Sequence, residues 1–356
     1  MKKVLVAMSG GVDSAVASML LAESGYDILG VTMRLWEDGA AIPDSHECEP
    51  DENSLEAKKT AALLGFPHKT VALGESFRRE VIDRFIADYR AGKTPNPCVE
   101  CNRTLKFGAM FDIADSMGIP YLATGHYARI LQDEKGEYGL YRALDGNKDQ
   151  SYFLWSIKRE RLPYVLFPLG TYTKPEIREL ASARGFNNAS RSDSQDICFI
   201  PDGDYVSFIE KHAGRDKSFE AGNFVDPDGN ILGRHDGIVR YTIGQRKGLG
   251  IALGRPIFVG DKNPASNTVT LCSDRKLYKS ELRASRINIL TDETFEEPTR
   301  VEAKIRYRHA PAAATVLRRG DDELTLRFDE PQRAIARGQS LVLYRGDRVI
   351  GGGIID

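Results

Sequence analysis

The chain has 356 residues, of which 41% are hydrophobic and 28% charged, and its formal net charge is −2. The length exceeds a usual single domain of roughly 100 to 200 residues, so two or three domains are expected, and the polarity excludes a bundle of membrane spans. Near-balanced charge gives no average attraction to phosphate, so any contact with a nucleic acid has to come from local basic patches.

The residues Met1 to Ala7 begin like a secretory leader, but Ser9, Gly10, Gly11 and Asp13 cut the apolar run short, so Val4 to Ala7 reads as a buried first strand. A helix over Ala15 to Glu23 follows, then a strand from Ile28 to Met33, a helix from Ser54 to Leu64 and a strand near Lys69 to Ala72. Amphipathic helices over Glu75 to Arg90 and Phe107 to Met117 lead to a strand from Tyr121 to Thr124. Strands alternating with helices predict parallel βαβ units, with a ligand beyond the carboxyl ends of the strands, where Ser9, Met33 and Gly125 fall. From about Pro201 the chain changes to short strand-like runs between Gly, Asp and Asn turns, at Phe224-Val225, Ile257 to Val259 and Thr268 to Leu271. From about Ser280 apolar and polar residues alternate over Arg300 to Tyr307, Ala314 to Leu317, Glu323 to Phe328, Ser340 to Tyr344 and Val349 to Ile355. This spacing predicts a small β-barrel or sandwich.

Ser9-Gly10-Gly11-Val12-Asp13-Ser14 lies directly between the first strand and the first helix. Two glycines and a helix N-terminus gather several backbone N–H groups around one point, which makes an anion cradle. Ser9 and Ser14 add hydroxyl donors. Asp13 is a poor neighbour for phosphate unless a divalent cation separates them, so Mg²⁺ with ATP is the expectation. A simple capped turn needs neither the paired glycines nor the acid. The loop lacks a Gly-Lys-Ser/Thr ending and a Gly-x-Gly-x-x-Gly pattern. It resembles instead the pyrophosphatase-type loop of the N-type ATP pyrophosphatases, which split ATP into AMP and pyrophosphate and adenylate an oxygen of their substrate.

Five cysteines without a secretory leader point to a reducing, cytoplasmic setting, where close cysteine spacing signals metal or thiol chemistry more often than structural disulfides. Pro95 and Pro97 force an extended entry to Cys98-Val99-Glu100-Cys101, and the run from Arg103 to Met110 looks helical. A cysteine at a helix start beside Arg103 or Lys106 should have its thiol pKa lowered, which makes Cys101 a candidate nucleophile. A zinc knuckle on Cys98 and Cys101 lacks a second Cys-x-x-Cys or a His pair. Cys198, flanked by Ile197 and Phe199, reads alone as a core cysteine, and Cys48 and Cys272 carry no motif.

Taken together, the Ser9 to Ser14 loop, Cys101-Asn102 with Lys106-Phe107, Thr124 to Tyr127, Lys148 to Tyr152, Cys198-Phe199 and Tyr241 to Gly248 resemble the tRNA-specific 2-thiouridylases over essentially the whole chain. The resemblance implies an α/β fold, with a parallel-sheet PP-loop adenylation domain (adenine nucleotide alpha hydrolase-like) over residues 1–200, a small central domain over 201–276 and a C-terminal β-barrel over 277–356 that contacts tRNA. It implies that Ala7, Met8, Ser9, Gly10, Gly11, Val12, Asp13 and Ser14 hold the ATP phosphates, with Met33 and Gly125 at the adenosine. Asn96, Pro97 and Cys98 match the segment that meets the target base, while His126, Lys148, Asp149, Gln150, Arg306, Tyr307 and Gln339 match positions that touch tRNA.

The implied reaction adenylates O2 of the wobble uridine in the lysine, glutamate and glutamine tRNAs and replaces it with sulfur from a Cys198 persulfide, with Cys101 as the partner thiol. The sulfur would arrive from a relay that begins at a cysteine desulfurase. In part of that family an aspartate stands where this chain has Cys98. Three converging thiols, Cys98, Cys101 and Cys198, would suit a [4Fe–4S] cluster as an alternative sulfur carrier. The competing readings are a small-molecule ligase with the same loop and an inert RNA-binding module.

Overall fold

The computed structural model describes residues 1–37, 40–186, 197–251 and 254–356. Its N-terminal sheet has five parallel strands in the spatial order His68–Ala72, Asp27–Arg34, Lys3–Ala7, Tyr121–Thr124 and Val165–Leu166. Val4, Leu5 and Val6 are completely buried, which is why the first strand reads as a continuous apolar run and not as an alternation. It sits mid-sheet, with Lys3 opposite Asp27 on one side and Val4 opposite Tyr121 on the other. The connections run outward in both directions from this strand, so a crevice opens past Ala7 and Thr124, where open parallel sheets take their ligands.

Local chemistry sets the helix ends. Helix Glu52–Leu64 starts at Asp51, whose carboxylate accepts the Ser54 N–H at 2.8 Å, and stops at Gly65 with φ of 80°. The helix after the two prolines begins about six residues before the run from Arg103 that the sequence marks as helical: Pro97–Cys101 is α-helical, Asn102–Ala109 is π-helical and Met110–Ser116 is α-helical again. Proline at the first turn seeds it, because the missing N–H has no helical partner to lose there.

The central sheet has four strands, in the order Ile231–His235, Gly222–Val225, Thr268–Cys272 and Phe258–Asn263. The C-terminal strands close into a six-membered ring, because Tyr278–Ile289 pairs with both Glu323–Arg333 and Arg348–Ile355. Two of the sequence expectations change here. The strand expected over Arg300 to Tyr307 ends at Lys304, so Arg306 to His309 lie in a turn beyond it. The hairpin Ala128–Gln132 and Tyr138–Arg142, unrecognised in the sequence, leaves the N-terminal unit and extends the barrel sheet by pairing Tyr141 with Arg348. Trp155 fills the seam between the two units. A Cβ on Gly352 would lie 2.7 Å from its ring, and Asn288 donates to the carbonyls of Trp155 and Ile157 at 2.7 Å each.

His68 shares a 2.9 Å hydrogen bond with Thr32 Oγ1, and burial pulls its imidazole pKa from 6.5 down to about 4. Between those values the unfolded chain takes up a proton that the folded chain refuses. The contribution of this site is therefore complete above pH 6.5 and is lost as the pH falls toward 4. Screening of the half-buried ring leaves about 1–2 kcal/mol. Urea unfolding at pH 7 and pH 4.5 should show that decline shrinking by this amount in His68→Gln.

Candidate functional site

A cavity of about 420 Å³ occupies the crevice, within the range of roughly 300 to 1,000 Å³ usual for small-molecule sites. Its lining includes Ala7, Met8, Ser9, Asp13 and Ser14 from the loop, and Met33 and Gly125 from the neighbouring strand ends. Helix Val12–Glu23 starts at Gly11 with no side-chain cap, so its first N–H groups remain available to an anion. The Ser14 hydroxyl donates to the Gly11 carbonyl at 3.0 Å and accepts the Ser9 N–H at 3.1 Å, so it braces the loop. Gly10 has φ of 73°, and a Cβ there would meet the Asn53 carbonyl oxygen at 2.4 Å. These features suit a nucleotide phosphate chain: uncapped donors, a backbone pressed close, and room above.

Asp13 departs from the bare carboxylate expected beside Mg²⁺. Both of its oxygens lie 2.8 Å from Lys174 Nζ, and Tyr127 O–H donates to one of them at 2.7 Å. Lys174, buried to 6% exposure, was missed in the sequence because it stands about 160 residues from its partner. A signal was present. Thr173 and Glu176 form a capping box, and a lysine at the first position of that helix opposes the helix dipole unless an acid holds it. Lys174→Met should strand the Asp13 charge and cost about 1–3 kcal/mol, read by thermal unfolding, while Asp13→Asn in that background should recover part of the loss.

The opposite wall carries the thiols. Cys98, Cys101 and Cys198 all line the same cavity, together with Lys106, His126 and Gln150. Cys98 and Cys198 keep contact with solvent and Cys101 is half-buried, and all five cysteines are free. The expected lowering of the Cys101 pKa is overturned, because burial pushes that thiol up to about 12, with Lys106 pulling the other way. The helix begins at Pro97, so the residue in its first turn is Cys98, and Arg103 spends its guanidinium on Glu100 at 2.7 Å. Partial desolvation by the cavity wall raises Cys98 and Cys198 as well, although each residue keeps an exposed face. Among the described residues no group of three or more His, Cys, Asp or Glu side chains is gathered to hold a metal ion. Cys98, Cys101 and Cys198 share a wall without gathering into a three-ligand site for an iron–sulfur cluster.

The remaining candidates divide. His126 shares a 2.6 Å hydrogen bond with Thr124 and packs between Phe107 and Phe167, where burial holds its imidazole well below its usual pKa. Gln150 accepts the Tyr127 N–H at 3.0 Å. The Asp149 carboxylate is buried and accepts from the Ala143 and Ser151 N–H groups and the Ser151 hydroxyl, so it shapes the turn that carries Lys148. Arg306 donates to the carbonyls of Ile243 and Ala334. Tyr307 packs on Phe153 at 4.5 Å, and the Phe153 carbonyl accepts from Asn102, next to Cys101. Gln339 donates to the Thr94 carbonyl at 2.8 Å and so steadies the entry to the cysteine helix. Asn96 lies apart from the main cavity, in a small crevice beside Glu100 and Arg286, while Pro97 borders both spaces.

Residues 2–202 match the tRNA methyl transferase HUP domain, residues 207–273 the tRNA methyl transferase PRC-barrel domain and residues 279–355 the aminomethyltransferase beta-barrel domain. A Clostridioides difficile (strain 630) protein named tRNA-specific 2-thiouridylase MnmA is 47% identical over 356 residues, covering 100% of this chain and 98% of that protein. The protein of the same name from Lachnoclostridium phytofermentans is 44% identical over 357 residues, covering 100% and 99% of the two chains. That from Carboxydothermus hydrogenoformans is 45% identical over 358 residues, covering 100% and 98%.

Proposed function

The chain belongs to the tRNA-specific 2-thiouridylase family, and from that premise we propose that it activates the wobble uridine of the lysine, glutamate and glutamine tRNAs with ATP and replaces O2 with a sulfur carried on Cys198. The observation that carries this reading is that one cavity is lined both by the phosphate loop and by three thiols. A small-molecule ligase has no use for the second wall, and an inert binding module has no use for either.

In the first step uridine O2 attacks the α-phosphorus of ATP, pyrophosphate leaves and the N3 proton is lost. The loop from Ser9 to Ser14 holds the phosphates, and Met33 and Gly125 border the adenosine. Mg²⁺ bound with the phosphates would neutralise the charge of the departing pyrophosphate. Adenylation is needed because the uridine carbonyl carbon has no leaving group, and AMP becomes one.

In the second step the terminal sulfur of a Cys198 persulfide attacks C2, in the base held beside Pro97 and Cys98, and AMP departs. Cys101 thiolate then attacks the Cys198 sulfur, which breaks the sulfur–sulfur bond to the base and releases 2-thiouridine as N3 regains its proton. The transferred sulfur gains two electrons and the two cysteines lose them, so a Cys101–Cys198 disulfide remains for a thiol reductant to open. A persulfide relay beginning at a cysteine desulfurase reloads Cys198. His126, Lys148 to Gln150, Arg306, Tyr307 and Gln339 serve the tRNA side, Arg306 and Gln339 by fixing the seam on which the anticodon loop rests. Sequence-specific RNA recognition favours unstacked loop bases of this kind.

The test is incubation of the protein with ATP, Mg²⁺, a sulfide or persulfide source and unmodified tRNA, followed by nucleoside mass spectrometry. 2-Thiouridine and AMP should form in equal amounts. The absence of thionucleoside with every sulfur source would defeat the proposal.

A further inference from the structure

The chemistry above needs negative charge on sulfur in a cavity whose burial opposes it most strongly at Cys101. A thiolate taken out of water has to be paired with a positive charge or a set of donors. Among the described lining residues, few charged or titratable groups besides the thiols face the cavity. Asp13 is tied to Lys174 and Tyr127, and His126 is held neutral in its aromatic slot. Among the described lining residues the one lysine or arginine is Lys106. Lys106 is half-buried, and no hydrogen bond or ion pair joins its ammonium to a described residue.

The backbone explains how it comes to be there. In an α-helix of 3.6 residues per turn, residues five apart diverge by roughly 140° around the axis. The segment Asn102–Ala109 is wound as a π-helix, whose bonds span five residues and bring such positions over one another. Cys101 and Lys106 are five apart and face the same cavity as Cys98 and Cys198.

We propose that Lys106 is the counter-charge for sulfur in this enzyme: its ammonium stabilises the Cys101 thiolate and the Cys198 thiolate or persulfide anion, and the π-helical segment exists to aim it at them. This rests on the assignment of Cys101 and Cys198 as the working pair. Lys106 forms no covalent bond and transfers no atom. Its charge is also the largest influence opposing burial at each of the three cavity thiols.

The test is the rate of iodoacetamide alkylation of each cysteine against pH, resolved by peptide mass spectrometry on the full-length wild type, Lys106→Gln and Lys106→Arg. In Lys106→Gln the profiles of Cys101 and Cys198 should move up by about one pH unit, or about tenfold slower alkylation at a fixed pH below the midpoint. Lys106→Arg should stay near wild type, and Cys48, outside the cavity, should not move. Lys106→Met repeats the measurement if the glutamine variant fails to fold. Unmoved Cys101 and Cys198 profiles in a folded neutral variant, or an equal displacement of Cys48, would overturn the assignment. If Cys101→Ser and Cys198→Ser retain thiolation while the Lys106→Gln profiles still shift, the catalytic reading fails and the electrostatic one stands. If the cysteine variants are inactive while the Lys106→Gln profiles stay unshifted, the catalytic reading stands and the electrostatic one fails.

Discussion

Serine in place of either Cys101 or Cys198 should lower 2-thiouridine formation by at least about a thousandfold, because an alcohol can neither carry a sulfane sulfur nor resolve one. Serine nearly matches cysteine in shape, so the cavity and its phosphate loop should survive. Pyrophosphate release from ATP in the presence of tRNA should therefore remain within a few-fold of wild type, and the adenylated tRNA should accumulate. Measuring pyrophosphate and thionucleoside in the same reaction separates the half-reactions. Loss of both together would mean that the cysteines hold the site's shape and do not move sulfur. Cys98→Ser is the informative third variant. A residue that only borders the target base should cost no more than about tenfold on this scheme, whereas a three-thiol cluster would make it as damaging as the other two.

Alanine at Gly10 should damage the phosphate loop well beyond what its left-handed backbone conformation alone would cost. Its Cβ would sit 2.4 Å from the Asn53 carbonyl oxygen and 3.1 Å from two further backbone atoms of Asn53, at φ of 73°. No rotamer relieves that overlap, because the Cβ direction is fixed by the backbone and the obstacle is backbone too. Either the loop rises from its seat or helix Glu52–Leu64 retreats, and the expected cost is about 1–3 kcal/mol with at least a tenfold weaker ATP affinity. Gly25 supplies the comparison: its φ is 78°, but nothing lies within 4 Å of an added Cβ. Gly25→Ala should therefore carry only the conformational penalty and leave ATP-dependent stabilisation intact. Thermal shifts over an ATP titration decide between them. Equal loss in the two variants would refute the steric account.

The parts of this molecule that were legible beforehand are those whose cause is local. The apolar run Val4 to Ala7, the two glycines after it and the helix beyond lie within about twenty residues, so the strand, the cradle and the open end of the sheet could be read from the chain directly. Cys98 and Cys101 could be placed near a helix start for the same reason. What escaped depends on partners far away in sequence. Nothing near Asp13 announces Lys174, and nothing near Cys101 announces the surroundings that raise its pKa in place of lowering it. The π-helical winding also hides from an apolar pattern, because Leu105, Phe107, Met110 and Phe111 suit an ordinary buried helix face equally well. The backbone carbonyls that Arg306 and Gln339 hold were also hidden, because a sequence shows which donors exist and does not show which acceptors lie beside them.

The hairpin that pairs Tyr141 with Arg348 imposes a timetable on synthesis. A ribosome has to add about two hundred further residues before the second partner strand of Tyr138–Arg142 exists, beside Ala128–Gln132. Until then the outer edge of Tyr138–Arg142 carries backbone groups without their strand partner. Contacts of such separation form late and slowly. The emerging chain therefore carries a sticky edge through most of its translation, and chaperone occupancy of that hairpin should end only when Arg348–Ile355 has cleared the exit tunnel.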